Sequence, residues 1–600
     1  LALFFSGLSA HAQDVVVHHD LAVRVDPATS QVDVTDTMMI PESMSHDGLT
    51  FSLHEGLSPQ SITEGIRIEE AGDEAAAADK GMDQEDHSSE IRQVRYRIVA
   101  NEGFDGREVA LRYGGTIHHP VRQIEQEYAR GFSQSPGLVD EQGVYLAGAT
   151  HWIPSFGEEY VTYTMTVHTP AGWKTVSQGR RSNSADDGDG HVDTWDVTTP
   201  TEEIFVIAAQ FVEYEYAVGN ILAMAFLRDK DDGLANKYLE TTAQYMEMYQ
   251  DLLGPYPYSK FALVENFWET GYGMPSFTLL GPQVIRFPFI LHSSYPHELL
   301  HNWWGNGVFV DFDTGNWCEG LTTYMADHLI AEQRGTGDDY RRTTLQGYTD
   351  YVTDDNDFPL RDFRSRTNAS SSSIGYGKTA MMWDMLRAEV GDEDFKRAFQ
   401  KFYRDNQFRR AGFDDIRKAF EAVAERDLQA FFEQWVTRTG APSLSIDEVS
   451  ASPAQDGYSV ELRLRQDQPG DPYSLRVPVA VYMADSVTSD MVSMDSKEQA
   501  FTIAVTNKPL RVAVDPQFNL MRRLDYREIP PAMSKMFGAD KTLMILPSDA
   551  GADELARYEA LAKTWKGDQG EAFEVRLDNE VDELPADRSI WVLGWTNRWR

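Results

Sequence analysis

Cysteine is all but absent from this 600-residue chain, which holds only Cys318. An internal disulfide framework is therefore excluded, and packed cores must supply the stability. Basic residues are scarce beside acidic ones, 54 Lys+Arg against 95 Asp+Glu, for a formal net charge of -41. That excess opposes binding to nucleic acid or to an anionic membrane surface and favours a solvated acidic exterior. Long apolar runs are missing too: no later segment offers the roughly twenty uninterrupted apolar residues of a helical span, so no membrane span is expected. The opening "LALFFSGLSAHAQDVVV" has an apolar stretch followed by Ala10 and Ala12 in an A-x-A arrangement. It reads as a signal-peptide remnant over 1–12, with cleavage after Ala12 and an exported, periplasmic or secreted, mature chain.

What is present divides by pattern. Residues 13–218 alternate apolar and polar positions in short runs such as "LAVRVDPATSQVDVTDTMMI" and "YVTYTMTVHTPAGWKTVS", which predicts an antiparallel β domain. Within it, the acidic, small-residue stretch from Ala71 to Glu90 predicts a loop. "DDGDG" at Asp186–Gly190 predicts a hairpin turn, because the rest of a calcium-loop spacing is missing. Residues 219–441 carry apolar positions three and four apart in "NKYLETTAQYMEMYQDLLG", "YPHELLHNWWG" and "DDIRKAFEAVAERDLQAFFEQWV", a helical signature. Alternation returns over 442–523, predicting a small β-sandwich. Residues 524–600 read β, α, β and then stop, as a partial α/β domain does. The fold class expected is multidomain α+β.

The chemistry concentrates in "YPHELLHNWWGNGVFVDFDTGNWCEGLTTY", Tyr295 to Tyr324. On a helix, His297 and His301 lie four apart on one face and can direct their imidazoles at one ion. Glu298 is rotated by about 100° from His297, an offset that lets its carboxylate reach an ion-activated water without ligating the ion. Glu319 opens a second helical segment, and two imidazoles with one carboxylate leave a tetrahedral zinc one open position. Cys318, beside Glu319, points off the face that Glu319 uses and reads as a small buried residue. The competing reading of these residues is a buried helix with satisfied histidines. A stabiliser for a developing oxyanion is offered by Tyr376, in "SSSIGYGKTAMMWDML" after a Ser- and Gly-rich loop.

Together these residues resemble the gluzincin zinc aminopeptidases, the family of aminopeptidase N and leukotriene hydrolase. The likeness runs over about 14–520 and implies, in domain order, a β saddle, a thermolysin-like catalytic domain and a β-sandwich. It implies one Zn2+ per chain at His297, His301 and Glu319, Glu298 as general base, and peptides as substrates. Seventeen residues separate His301 from Glu319, one fewer than the family spacing. The family's Tyr-x-Lys-Gly motif is matched at Tyr376 and Lys378, with Thr379 in the glycine position, which implies that Tyr376 stabilises the transition state. The family's Gly-x-Met-Glu-Asn motif, which binds the substrate along an extended strand and holds its α-amino group, is represented by "GYGMPS". Tyr272, Gly273 and Met274 keep the backbone contacts, whereas Pro275 and Ser276 replace the Glu-Asn pair.

Glu265 and Glu269 lie in the same segment. Glu269 is the carboxylate expected at the substrate, although surface solvation is the plainer role for both. A second family contact to the substrate amine falls on Ala147, Gly148 and Ala149, which offer no such side chain. The function implied is a zinc metallopeptidase of aminopeptidase type. Two other readings stay open: an oligopeptidase or endopeptidase that needs no free N-terminus, and a noncatalytic peptide-binding protein on the same scaffold.

Overall fold

The computed structural model describes residues 15–44, 48–74, 91–100, 107–123, 133–157, 159–530, 534, 538–567, 570–585 and 588–600. The signal-like remnant and most of the acidic stretch after Ala71 fall outside them. The strand Ile66–Glu74 reaches into the start of that stretch. The chain divides into two compact units. One holds the described residues of Leu1–Ile330 with Arg361–Ser365 and Leu386–Val436; the other holds Ala331–Leu360, Arg366–Met385 and Thr437–Arg600.

In the first unit, the alternating N-terminal runs form the strands they predict. Val16–Asp26 buries Val17, Leu21, Val23 and Val25 on one face. It lies in a seven-stranded sheet, antiparallel beside Gln31–Met39 and parallel beside Tyr160–Thr169. Asp186–Gly190 is a hairpin turn, as expected: the Asp187 carboxylate accepts the backbone N–H groups of Asp189 and Gly190 at 3.2 and 2.9 Å.

A five-stranded sheet then supports the site. Its strands are β1 (Val212–Val218), β2 (Ile221–Leu227), β3 (Lys260–Glu265), β4 (Gly271–Met274) and β5 (Phe277–Leu280), in the order β1-β2-β3-β5-β4. The helical reading of 219–441 missed this sheet, because β3 and β5 are buried at every position and so show no alternation. Helix α1 (Asp232–Leu253) connects β2 to β3, which run parallel. The Asp231 carboxylate caps it by accepting the Leu234 N–H at 2.9 Å.

Helix α2 (Ser294–Leu300) carries the first histidine, and its C-terminal turn carries the second. Pro296 falls in its first turn, where a missing N–H costs no intrahelical bond. Helix α3 (Cys318–Thr323) follows and leads through a π-helical turn, Tyr324–His328.

The second unit pairs the strands Leu444–Ala454, Gly457–Gln466 and Glu498–Val505 in one antiparallel sheet, and Val487–Met494, Leu475–Tyr482 and Arg511–Val514 in another. Val460, Leu462 and Leu464 from the first sheet are buried, as are Val477, Val479 and Val481 from the second, the inward-facing pattern of a sandwich. The last strands are parallel, with Thr542–Leu546 between Phe573–Leu577 and Ser589–Val592 and the helix Ala552–Lys566 beside them.

Candidate metal centre

Helix α2 is fixed by its buried face. Tyr295, Leu299 and Leu300 are fully buried; Tyr295 stacks edge-on against Tyr238 of α1 at 4.8 Å between ring centres and hydrogen-bonds Thr242. Trp303 and Trp304 are core: Trp303 donates its indole N–H to the Gly254 carbonyl at 3.1 Å, and Trp304 packs on Trp317, Phe399 and Phe402. These anchors leave the opposite face of α2 to the histidines. The His301 N–H bonds the His297 carbonyl at 3.2 Å, so the four-residue helical spacing is kept through the last turn.

Helix α3 begins where the Asn316 side chain accepts the backbone N–H groups of Cys318 and Glu319, at 3.1 and 3.5 Å. Its own amide donates to the Arg364 carbonyl at 2.8 Å, tying the helix start to the segment Arg361–Ser365. Glu319 is delivered to the histidines as a result. Its Oε2 lies 3.5 Å from His297 Nε2 and 3.8 Å from His301 Nε2, and one donor atom from each of the three residues falls within 4.8 Å of the others.

The outer nitrogens of the two rings are turned away and engaged. His297 Nδ1 faces Asp327 Oδ2 at 2.8 Å, and His301 Nδ1 faces the Trp304 carbonyl at 3.2 Å. Both contacts favour a proton on Nδ1 and turn Nε2 of each ring toward the common centre. The Cys318 sulfur lies 3.6 Å from His301 Nδ1, on that outer side, and belongs to no ligand group. Burial pushes its thiol well up, and Glu319 and Glu298 add to the shift, so a thiolate is disfavoured there.

The electrostatics differ between the histidines. Burial lowers His301 to about 4, against the opposing pull of Glu319, so its imidazole is neutral at pH 7. Burial also disfavours charge on His297, but the Asp327 carboxylate, with Glu319 and Glu298 beside it, outweighs this and raises it well above the ordinary value. Two imidazoles and a carboxylate that converge, each ring held from behind, match the donor set of a zinc site with one position open.

Strand β4 forms the wall beside this cluster. It is the edge strand of its sheet among the described residues, and Tyr272, Gly273 and Met274 are buried on it. Gly273 passes so close to α2 that a Cβ there would stand 2.6 Å from Glu298 Oε2 and 3.0 Å from His301 Cδ2. A side chain there would force the Glu298 carboxylate or the strand to shift. Asn306 donates to the Gly273 carbonyl at 3.4 Å and steadies the strand.

The two upstream glutamates have structural partners. Glu265 is buried and not solvated: it pairs with Arg286 at 2.6 Å and accepts the Arg228 N–H at 2.9 Å. The Glu269 carboxylate accepts the N–H groups of Gln283 and Val284 at 2.9 and 3.4 Å, closing the turn after β5. Both assignments differ from surface solvation for the same reason: an acidic chain hides its few structural carboxylates among many solvated ones.

Tyr376 lies in the second unit. Its surroundings are helical rather than the Ser- and Gly-rich loop expected. Asn368 accepts the Ser371 N–H at 2.8 Å while Ser371 Oγ accepts the Asn368 N–H at 2.9 Å, a reciprocal cap that starts the helix Ala369–Ser372. A π-helical turn, Ser373–Lys378, carries Tyr376 into the helix Thr379–Val390. Such turns recur at functional positions. The Arg366 guanidinium lies 5.3 Å from the Tyr376 ring centre. Lys378 is buried and donates to the carbonyls of Arg438 and Gly440 at 2.9 and 3.1 Å.

Comparison with known proteins agrees with this geometry. Residues 291–435, which include His297, His301 and Glu319, match the Peptidase family M1 domain. The chain is 22% identical over 312 residues to glutamyl aminopeptidase of Bitis rhinoceros, covering 50% of this chain and 32% of that protein. It is 21% identical over 415 residues to the probable aminopeptidase 1 of Saccharolobus solfataricus, covering 61% and 51%. Among solved structures it resembles Legionella pneumophila aminopeptidase A, a crystal structure in complex with aspartic acid, with a TM-score of 0.62 and 15% identity over 88% of this chain and 62% of that one. The chain thus spans about half or less of the two curated relatives. The chain resembles the gluzincin aminopeptidases, the likeness that its motifs implied, and its residues 291–435 match their M1 domain.

Proposed function

We propose that the chain is a zinc-dependent metallopeptidase of aminopeptidase type that binds one Zn2+ per molecule. The observation that carries this reading is the convergence of one donor atom each from His297, His301 and Glu319 within 4.8 Å, with Glu298 Oε2 2.6 Å from where a Cβ on Gly273 would stand. When bound, the ion supplies Lewis acidity: it polarises a peptide carbonyl and makes a water molecule more acidic.

The chain's own groups do the rest. An extended peptide adds along the edge strand β4, hydrogen-bonding its backbone as a further strand would. Glu298 takes a proton from the attacking water and returns it to the departing amine, a transfer worth about 10²–10⁴ in rate. We assign Tyr376 the role of hydrogen-bond donor to the developing oxyanion, supported by the Tyr-x-Lys order and the π-helical turn that carries it. Export is part of the same proposal, supported by the apolar stretch and the A-x-A sequence ending at Ala12.

The test uses purified chain loaded with zinc and a peptide library read by mass spectrometry. Loss of single N-terminal residues is expected. Glu298→Gln should keep one zinc per chain while losing about 10³-fold in kcat. Full activity in that variant overturns the mechanism. Cleavage of a free-amine peptide but not of its acetylated twin supports the aminopeptidase; equal cleavage of both favours an oligopeptidase, and no turnover of any peptide despite bound zinc favours a peptide-binding protein.

A further inference from the structure

The two residues that join β4 to β5 are Pro275 and Ser276. Met274 pairs with Phe277 across them, so the connection is a two-residue hairpin turn. Proline sets the first corner near its fixed φ, and Ser276 takes the second with φ +67°, the combination of a type II turn. That second corner belongs by preference to glycine or asparagine, because a Cβ crowds the backbone there. Ser276 must therefore be held.

Every polar group of Ser276 has a buried partner. Its N–H donates to Asn302 Oδ1 at 2.7 Å. Its carbonyl accepts Lys260 Nζ at 3.0 Å and the Ala262 N–H at 3.0 Å. Its hydroxyl oxygen accepts Lys260 Nζ at 2.8 Å and the Gly179 N–H at 3.1 Å. Asn302 is the residue after His301 and is itself fixed, donating to the Leu299 carbonyl and accepting the Tyr256 hydroxyl. Lys260 is 2% exposed, with the rings of Trp195 and Phe277 each 5.3 Å from its Nζ. Burial, reinforced by Arg181, drives its pKa well down. A lysine buried this way, bonded to Ser276 and seated against two aromatic faces, is a costly device for holding one turn.

We propose that Lys260 is a positioning residue for the peptide-binding strand. By locking Ser276 in the left-handed conformation, it keeps β4 pressed against Glu298 and His301, and through Asn302 it joins that strand to the metal-bearing helix. The inference rests on the functional reading above and adds to it: binding of the peptide backbone depends on a buried amine that never touches substrate.

The test compares Lys260→Met, Ser276→Gly, the double variant and Ser276→Ala, each with zinc content and melting temperature recorded. Lys260→Met should raise KM for a peptide by about tenfold with kcat nearly unchanged, and should speed hydrogen exchange at the Ser276 amide. Ser276→Gly in the Lys260→Met background should bring KM back to within about threefold of the parent, because glycine takes the left-handed corner unaided. If Lys260→Met does not fold, Ser276→Ala decides with the lysine in place: it keeps the Cβ penalty, loses the hydroxyl and should raise KM, whereas Ser276→Gly should not. A parental KM and exchange rate in Lys260→Met, a loss confined to kcat, or failure of the glycine rescue overturns the proposal. If the parent hydrolyses no peptide, the functional reading falls, while the exchange rates still decide whether Lys260 holds the turn.

Discussion

Asp327 Oδ2 stands 2.8 Å from His297 Nδ1, and that contact fixes which nitrogen His297 presents to Glu319. With a proton held on Nδ1, the nitrogen left for an ion is Nε2, 3.5 Å from Glu319 Oε2, and the ion that binds there takes the place of a proton. Asp327 contributes no donor atom to the cluster itself. It acts on the ring's tautomer, its orientation and its basicity.

Asp327→Ala should therefore weaken zinc binding by about 10–100-fold while leaving the fold intact. Competition against a graded series of chelators reads the change directly. An affinity equal to the parent's would show that the His297 ring is oriented by its packing alone.

The approach of Gly273 to Glu298 gives a second outcome. A methyl at this position would fall 2.6 Å from Glu298 Oε2 and 3.2 Å from His301 Cβ, so either the strand or the carboxylate must move. Displacing a general base by about 1 Å can cost about 10² in rate. Gly273→Ala should lose activity on that scale at unchanged zinc stoichiometry and nearly unchanged melting temperature. Parental kcat/KM in this variant would mean that the wall and the base are not coupled.

Cys318 tests the ligand set from the other side. A thiol is the donor zinc prefers in many sites, yet here it lies behind His301, 3.6 Å from the ring nitrogen turned away from Glu319. Cys318→Ala should retain one zinc per chain with affinity within a few-fold, and cost about 1 kcal/mol of stability from the small cavity left behind. Loss of zinc in this variant would make the sulfur a ligand.

How far such features can be read from the chain alone depends on whether their partners are local. The alternation in Val16–Asp26 and the four-residue histidine spacing are local, and both survive into the structure. The reciprocal cap of Asn368 and Ser371 is also local. A small polar residue followed three positions later by a serine is a readable start signal, hidden here by a Ser-rich stretch that looks like a loop. Strands β3 and β5 leave no periodic trace because both faces are covered. Asp327, Lys260 and Asn302 are ordinary polar residues in the sequence, and only packing of distant segments brings them to His297 or Ser276. Glu265 looks like any carboxylate of an acidic surface until the structure pairs it with Arg286 inside the fold.

A further pair outside the metal centre sets a pH dependence for stability. His54 Nδ1 accepts the Gly56 N–H at 2.9 Å, so the neutral ring carries its proton on Nε2, which lies 2.9 Å from His119 Nε2. Burial first, and then the neighbouring His119 and His151, lower His54 from 6.5 to about 4. Above pH 6.5 the ring is neutral in the folded and unfolded chains, and its titration adds no pH dependence. Between 6.5 and about 4 the unfolded chain takes up a proton that the folded chain refuses, so stability falls as the pH falls, by at most about 3 kcal/mol from this group. Protonation would also displace the Gly56 N–H from Nδ1. His54→Asn keeps an acceptor near that position without a titrating ring. Urea melts of parent and variant at pH 7, 6, 5 and 4 should show the parent losing stability more steeply, with the difference between them changing chiefly below pH 6.5. Parallel loss in both proteins would assign the acid sensitivity to the carboxylates instead.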